Sequence, residues 1–161
     1  MRALLFVLLG VAAPMGAASA QDAVTVAPNA EALFTSPDAK LNRNKQAAYH
    51  IVRELLEAGH WEMADKWLTD RYIQHNPNAQ SGLKGVVDYF TKVRKIVPKP
   101  IPDRIKTPVV SVVAEGDLVI VAYRHENKDP KDPTKTYMTT WFDMWRFVDG
   151  KADEHWDPAL R

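Results

Sequence analysis

The chain has no cysteine, which excludes disulfides, thiolate nucleophiles and cysteine-ligated metals. It also lacks an excess of charge of either sign, with 21 Lys and Arg facing 20 Asp and Glu. Such a balanced surface cannot neutralise a run of phosphates, so no nucleic-acid partner is expected. No Gly-rich loop follows a strand-like run, and a nucleotide cofactor therefore has no cradle. His50, His60, His75, His125 and His155 form no HExxH or similar spacing, and neither a metal nor any other cofactor is expected. Ser81 and Ser111 stand in no nucleophile-elbow context. No apolar run reaches the ~18 residues that a membrane-spanning helix requires.

What is present begins with the leader. Met1-Arg2 supplies a positive start, Ala3 to Ala13 is apolar and broken only by Gly10, and Ala18-Ser19-Ala20 is a small-x-small site. This is the layout of a secretory signal peptide cleaved after Ala20, and it implies a periplasmic or secreted protein with no membrane attachment after cleavage. The single excess positive charge is that of Arg2, so the remaining chain is neutral overall. About 140 residues then remain, the size of one domain with one core.

Residues 21–40 carry Pro28 and Pro37 with little periodicity and read as an extended arm ahead of a domain at 41–161. From Asn42 a helical period takes over through Ala47, Ala48, Ile51, Val52, Leu55 and Leu56, and Gly59 stops it. A short helix is predicted over Trp61 to Leu68, with Trp61 and Trp67 as core residues. A short strand follows at Tyr72-Ile73-Gln74-His75, closed by Pro77. Ser81 would cap a third helix with an apolar stripe of Leu83, Val86, Val87, Phe90 and Val93. The period then falls to two, and Val109–Ala114, Leu118–His125, Tyr137–Phe147 and Ala152–Asp157 read as strands. The polar stretch Asn127 to Thr136 reads as a loop that could act as a flap. Helices first and an antiparallel sheet afterwards is an α+β order.

The last hairpin carries the most information. Asp149-Gly150 between two strand-like runs signals a two-residue turn with positive φ at both positions. An uninterrupted register from that turn sets Arg146 opposite Asp153, an opposite-charge pair. It gathers Trp141, Asp143, Trp145, Glu154 and Trp156 on one face and turns His155 to the other. A carboxylate among indoles suits acid–base chemistry, because desolvation disfavours its charged form. Equally, Asp143 could accept hydrogen bonds from an indole N–H and merely order the sheet. Glu154 on the same face would be a second acid, or lie at the rim.

The run Tyr72-Ile73-Gln74-His75-Asn76-Pro77, the Gly82–Phe90 helix, Phe142 to Phe147 with Asp149-Gly150-Lys151, and Glu154-His155-Trp156-Asp157 resemble the SnoaL-like branch of the nuclear transport factor 2-like superfamily. Leu41 to Leu68 resembles the opening helices of its aldol-condensing members. The resemblance spans about Glu31 to Asp157. It implies a cone-shaped fold in which helices close a curved, mostly antiparallel sheet around an apolar pocket, with dimers formed through the outer sheet face. It also implies acid–base chemistry of the polyketide cyclase, isomerase or dehydratase kind. Asp143 matches the cyclases' pocket acid/base, and the family's His-Asn dipeptide falls on His75 and Asn76. The expected site is then catalytic Asp143 and His75, with Tyr72, Asn76, Phe90, Trp141, Trp145, Glu154 and Trp156 around a small hydrophobic carbonyl substrate. Two alternatives stay open: a non-catalytic module that binds a hydrophobic ligand, and a dimeric scaffold with a vestigial pocket.

Overall fold

Five strands form one sheet in the order β1-β5-β4-β3-β2, with β1 (Leu68–Gln74) parallel to β5 (Lys151–Trp156) and the other neighbours antiparallel. Between them in sequence lie β2 (Val109–Glu115), β3 (Leu118–Lys128) and the long β4 (Thr136–Val148). This computed structural model describes residues 22–160; the leader-like segment 1–20 lies outside the described residues.

Helices cover one face of the sheet. They are α1 (Ala30–Leu33), α2 (Ala39–His50), α3 (Ala64–Trp67) and α4 (Leu83–Asp88). Asp38 caps α2 by accepting from the Leu41 amide at 2.8 Å, as a short acidic side chain at a helix start should. The helix then runs on without a break into a π-turn segment, Ile51–Glu57. Widened turns are frequent at functional sites, and this one presents Leu55 and Leu56 to a cavity. Gly59, at φ 80, ends the run. A second π segment, Tyr89–Val93, extends α4.

The stretch read as an extended arm is not featureless. It contains α1, its Ala27 amide bonds the Val109 carbonyl at 2.8 Å, and its Phe34 is fully buried in the main core. Ser81 does not cap the third helix: Gly82 occupies that position, and the Ser81 hydroxyl accepts from the Gln74 amide at 3.0 Å. The strand expected at Tyr72 begins earlier, at Leu68.

The core between helices and sheet joins Phe34, Ala48, Ile51, Val52 and Leu55 to Val119, Val121, Trp145, Phe147 and Ala152. Alternation along β4 brings this about. Asp143, Trp145 and Phe147 face inward, while Phe142 and Val148 are exposed.

The final hairpin departs from the register expected of it. Asp149 (φ 50) and Gly150 (φ 81) make the anticipated turn, and Val148 pairs with Lys151 and Phe147 with Ala152. Then the register slips, so that Arg146 pairs with Glu154, Trp145 with His155 and Met144 with Trp156. Asp153 is the extra residue, a bulge of the kind that re-aims side chains. Its cause lies across the sheet in β1. The Asp153 carboxylate accepts from Thr69 Oγ1 at 2.7 Å and is bridged by the Arg71 guanidinium. Between Leu68 and Ile73 the β1 register is irregular too, so both strands bend around one buried carboxylate.

Candidate active site

The bulge exchanges the residues of the two sheet faces. His155 turns inward, and its Nε2 lies 3.2 Å from Asp143 Oδ1. Glu154 and Trp156 turn outward. His75 joins them there, with Nε2 at 2.9 Å from Glu154 Oε1 and its ring stacked on Trp156 at 4.9 Å. Of the nine site residues expected from the sequence, Asp143, Tyr72, Asn76, Phe90, Trp141 and Trp145 line a common cavity of about 460 Å³. His75, Glu154 and Trp156 do not. The placement of Glu154 and Trp156 assumed an uninterrupted two-residue period through Asp153, and a single extra residue inverts every side chain beyond it. His75, placed by the family's His-Asn dipeptide, lies beside them on the outer face.

Five polar or charged wall residues were not foreseen: His155, Asp157, Gln74, Asn78 and Arg94. The first two follow from the bulge, and Gln74 from the parallel pairing of β1 with β5. Trp61, expected as plain core, is buried and also forms cavity wall, stacked on Phe90 at 3.8 Å. An indole two residues from a glycine-ended helix was the available signal for it.

The polar floor of the cavity is a connected chain. Trp141 Nε1–H donates to Asp143 Oδ1 at 3.1 Å, on the oxygen that also meets His155. The other ring nitrogen, Nδ1, is 2.7 Å from Gln74 Oε1. That amide is oriented by the Asn76 backbone N–H, which donates to the same Oε1 at 3.2 Å. Gln74 therefore presents an acceptor, and His155 Nδ1 must carry a hydrogen. Nε2 then faces a carboxylate oxygen. Two lone pairs at 3.2 Å would repel, so a proton lies between His155 and Asp143. Asp157 adds negative charge 3.9 Å from Nδ1, and Asn76 Nδ2 holds it by donating at 2.8 Å. Asp143 and His155 are both buried, and the indole of Trp145 lies against the imidazole at 5.3 Å.

The tyrosines of this face have different partners. Trp145 Nε1–H donates to the Tyr72 hydroxyl at 3.2 Å. Burial first of all raises the Tyr72 phenol above its ordinary range, so it stays protonated. Tyr123 is pushed well above its ordinary value by burial and then by the nearby Asp143 charge. Its hydroxyl lies within the field of that carboxylate but off the geometry of a hydrogen bond, and it has no partner.

Asp143, His155 and Asp157 offer ligand atoms within 4.8 Å of one another, a grouping that the sequence spacing did not reveal. Both nitrogens of His155 are already committed, to Gln74 and to Asp143. A divalent ion would have to displace the shared proton, since a ligating imidazole must give up a lone pair.

The profile of the SnoaL-like domain matches residues 49–155. The chain belongs to the SnoaL-like domain family. Among solved structures, a candidate polyketide cyclase from Acidithiobacillus ferrooxidans is 17% identical, covering 76% of this chain and 89% of that one at a TM-score of 0.52. A candidate SnoaL-like polyketide cyclase from Jannaschia sp. CCS1 is also 17% identical, with coverage of 77% and 91% and a TM-score of 0.50. A nuclear transport factor 2-like protein from Burkholderia pseudomallei is 16% identical, with coverage of 71% and 88% and a TM-score of 0.48. No curated protein matches. At these identities the two cyclase candidates speak for the SnoaL-like fold alone, and function has to be argued from the site.

Proposed function

We propose that this SnoaL-like protein is an exported, cofactor-independent acid–base catalyst acting on a small, largely apolar carbonyl compound. The observation that carries the reading is the 3.2 Å contact between Asp143 Oδ1 and His155 Nε2 at the floor of an aromatic cavity. In this reading Asp143 Oδ2, which accepts no hydrogen bond among the described residues, removes a proton from the carbon next to the substrate carbonyl. The protonated His155 beside it offsets the negative charge that develops on the enolate. The proton then returns to another carbon, or leaves with a hydroxyl group. His155 thus takes the part that the sequence assigned to His75. Aromatic walls keep water out, which strengthens each of these electrostatic effects.

Deuterium exchange into a panel of small ketones, followed by NMR in D2O, tests the reaction. The wild-type protein should exchange hydrogens next to the carbonyl. Asp143→Asn should lose about 10²–10⁴ of that rate, the usual contribution of a positioned acid–base group, while still binding the ketone. Equal exchange by both proteins would end the catalytic reading.

A binding module is the second reading, and one observation favours it: Trp141 and His155 already satisfy Asp143 Oδ1. Saturable binding with no exchange by the wild-type protein selects it. Phe142 and Val113, 49% and 59% exposed on the sheet, support a homodimer formed through the outer face. Sedimentation at the mass of one chain would remove that part of the proposal.

A further inference from the structure

A second cavity, of about 470 Å³, adjoins the first. It is bounded by Val52, Thr107, Pro108, Tyr123 and His125, and it shares Leu56, Trp141 and Asp143 with its neighbour. Asp143 is therefore reached from two sides. Leu56, from the π-turn segment, and Trp141, from β4, are the partition between them. Tyr123 stands directly across from Trp141 in the β3–β4 ladder, and Val121 across from Asp143. Tyr123 and Asp143 are thus diagonal neighbours on one sheet face, a separation that long side chains bridge.

Tyr123 is 7% exposed, and its hydroxyl has no hydrogen-bond partner. An orphaned buried hydroxyl costs free energy in the ligand-free protein, and a phenylalanine would fill the same space without that cost. Tyr123 lines the second cavity, beside the carboxylate at the centre of the site. We propose that Tyr123 is the hydrogen-bond donor of a ligand-oxygen subsite in the second cavity. The ligand would have two arms, an apolar or aromatic body in the first cavity and an uncharged carbonyl passing between Leu56 and Trp141 to Tyr123. The acceptor is a ketone, aldehyde or ester. A carboxylate is disfavoured, because Asp143 and Asp157 already place negative charge on this floor. Burial holds the phenol in its protonated form, so it donates and cannot act as a base. This deepens the acid–base reading by naming the ligand's polar group. It rests on that reading for the reaction but not for binding.

The test uses the full chain and 2-acetylnaphthalene with a ¹³C-labelled carbonyl, read by isotope-edited infrared spectroscopy. On binding to the wild-type protein, the carbonyl stretch should move to lower wavenumber than in an apolar solvent. Tyr123→Phe should abolish that shift and weaken binding about three- to tenfold, the worth of one neutral hydrogen bond. The isosteric hydrocarbon 2-isopropenylnaphthalene should bind both proteins equally. Tyr123→Phe should also melt at the same temperature as wild type or a few degrees higher, because it removes an unpartnered polar group. The same stretch in both proteins, or no ketone binding at its solubility limit, would overturn the subsite. A lower melting temperature would show that the hydroxyl has a structural partner, and would overturn it too. Reading the shift in Asp143→Asn separates this proposal from the catalytic one. A retained shift with lost exchange supports both, and a retained shift where wild type shows no exchange leaves the subsite standing and removes only the catalysis.

Discussion

The two faces of the last hairpin use the same kinds of residue for opposite ends. Inside, a carboxylate, an imidazole and indoles (Asp143, His155, Trp141 and Trp145) pack together, and Trp141 and His155 meet on one Asp143 oxygen. Outside, a carboxylate, an imidazole and an indole (Glu154, His75 and Trp156) form a hydrogen-bonded pair and a stack in contact with solvent. There the Arg146 guanidinium, 3.0 Å from Glu154 and 2.9 Å from Asp117, covers the other part of the Trp156 ring at 5.7 Å. His75 first and then Arg146 hold the Glu154 carboxyl below its ordinary range. The outer set is paired and in contact with solvent, whereas the inner set is more deeply buried, with Asp143 Oδ2 left without a hydrogen bond among the described residues. Residue type does not distinguish a site from a surface brace. Which face it occupies does, and here one bulge decides that.

The largest expected effect comes from removing the anchor of the inner face. Trp145 is 1% exposed and donates to the buried Tyr72 hydroxyl. Trp145→Ala should destabilise the fold by about 3–5 kcal/mol, the usual cost of emptying a buried aromatic position. Urea denaturation would measure it. A loss below about 1 kcal/mol would mean that the inner face is not the packed surface described. The equivalent change outside, Trp156→Ala, should cost clearly less, because that ring is only half-buried.

The bulge itself can be tested at Asp153. Asp153→Ala removes the acceptor of Thr69 and Arg71, and should cost about 1–3 kcal/mol for the bonds lost from a buried carboxylate. The Arg71 hydrogen bond above all holds the Asp153 carboxyl below its ordinary value, with Thr69 assisting. A carboxyl lowered in the folded state contributes stability that is present above its unfolded value, about pH 4, and lost as pH falls through the folded value. Acid unfolding of wild type should therefore be steeper below about pH 4 than that of Asp153→Asn. Parallel acid limbs in the two proteins would show that the ion pair does not govern the bulge. Any loosening there should also lower the α-proton exchange rate, since His155 stands two residues further on.

Much of the fold was legible in the sequence. The helical stripe ending at Gly59, the Asp149-Gly150 turn and the four later strands follow from periods of 3.6 and 2 and from turn chemistry. Trp141, Asp143 and Trp145 share one cavity wall because the face of β4 could be read from alternation alone, and Tyr72, Asn76 and Phe90 line the same cavity from outside that strand. The bulge could not be read. The uninterrupted register sets Arg146 against Asp153, and the true one sets it against Glu154, so opposite charge is satisfied either way. What separates the two registers is a contact between Asp153 and Arg71, 82 residues away in sequence. No local pattern reports such a contact. The parallel β1–β5 pairing that brings Gln74 to His155 was hidden for the same reason, since it joins residues 81 apart in sequence.

The smallest effect expected is the most direct check on the exchange of faces. The resemblance to SnoaL-like proteins makes His75 a catalytic group, and its replacement would then cost two or more decades of rate. Its side chain is in fact 44% exposed on the outer face, paired with Glu154 and stacked on Trp156. Exposed pairs of this kind contribute about 0–1 kcal/mol, and the residue lines neither of the two cavities that share Asp143. His75→Ala should thus leave exchange within about twofold of wild type and stability within about 1 kcal/mol. His155→Ala, one sheet thickness away, should abolish the exchange. A large rate loss in His75→Ala with a normal melting curve would return the outer histidine to the reaction, and the bulged register would then be wrong. A loss in His155→Ala alone ties the chemistry to the face that Asp153 turns inward.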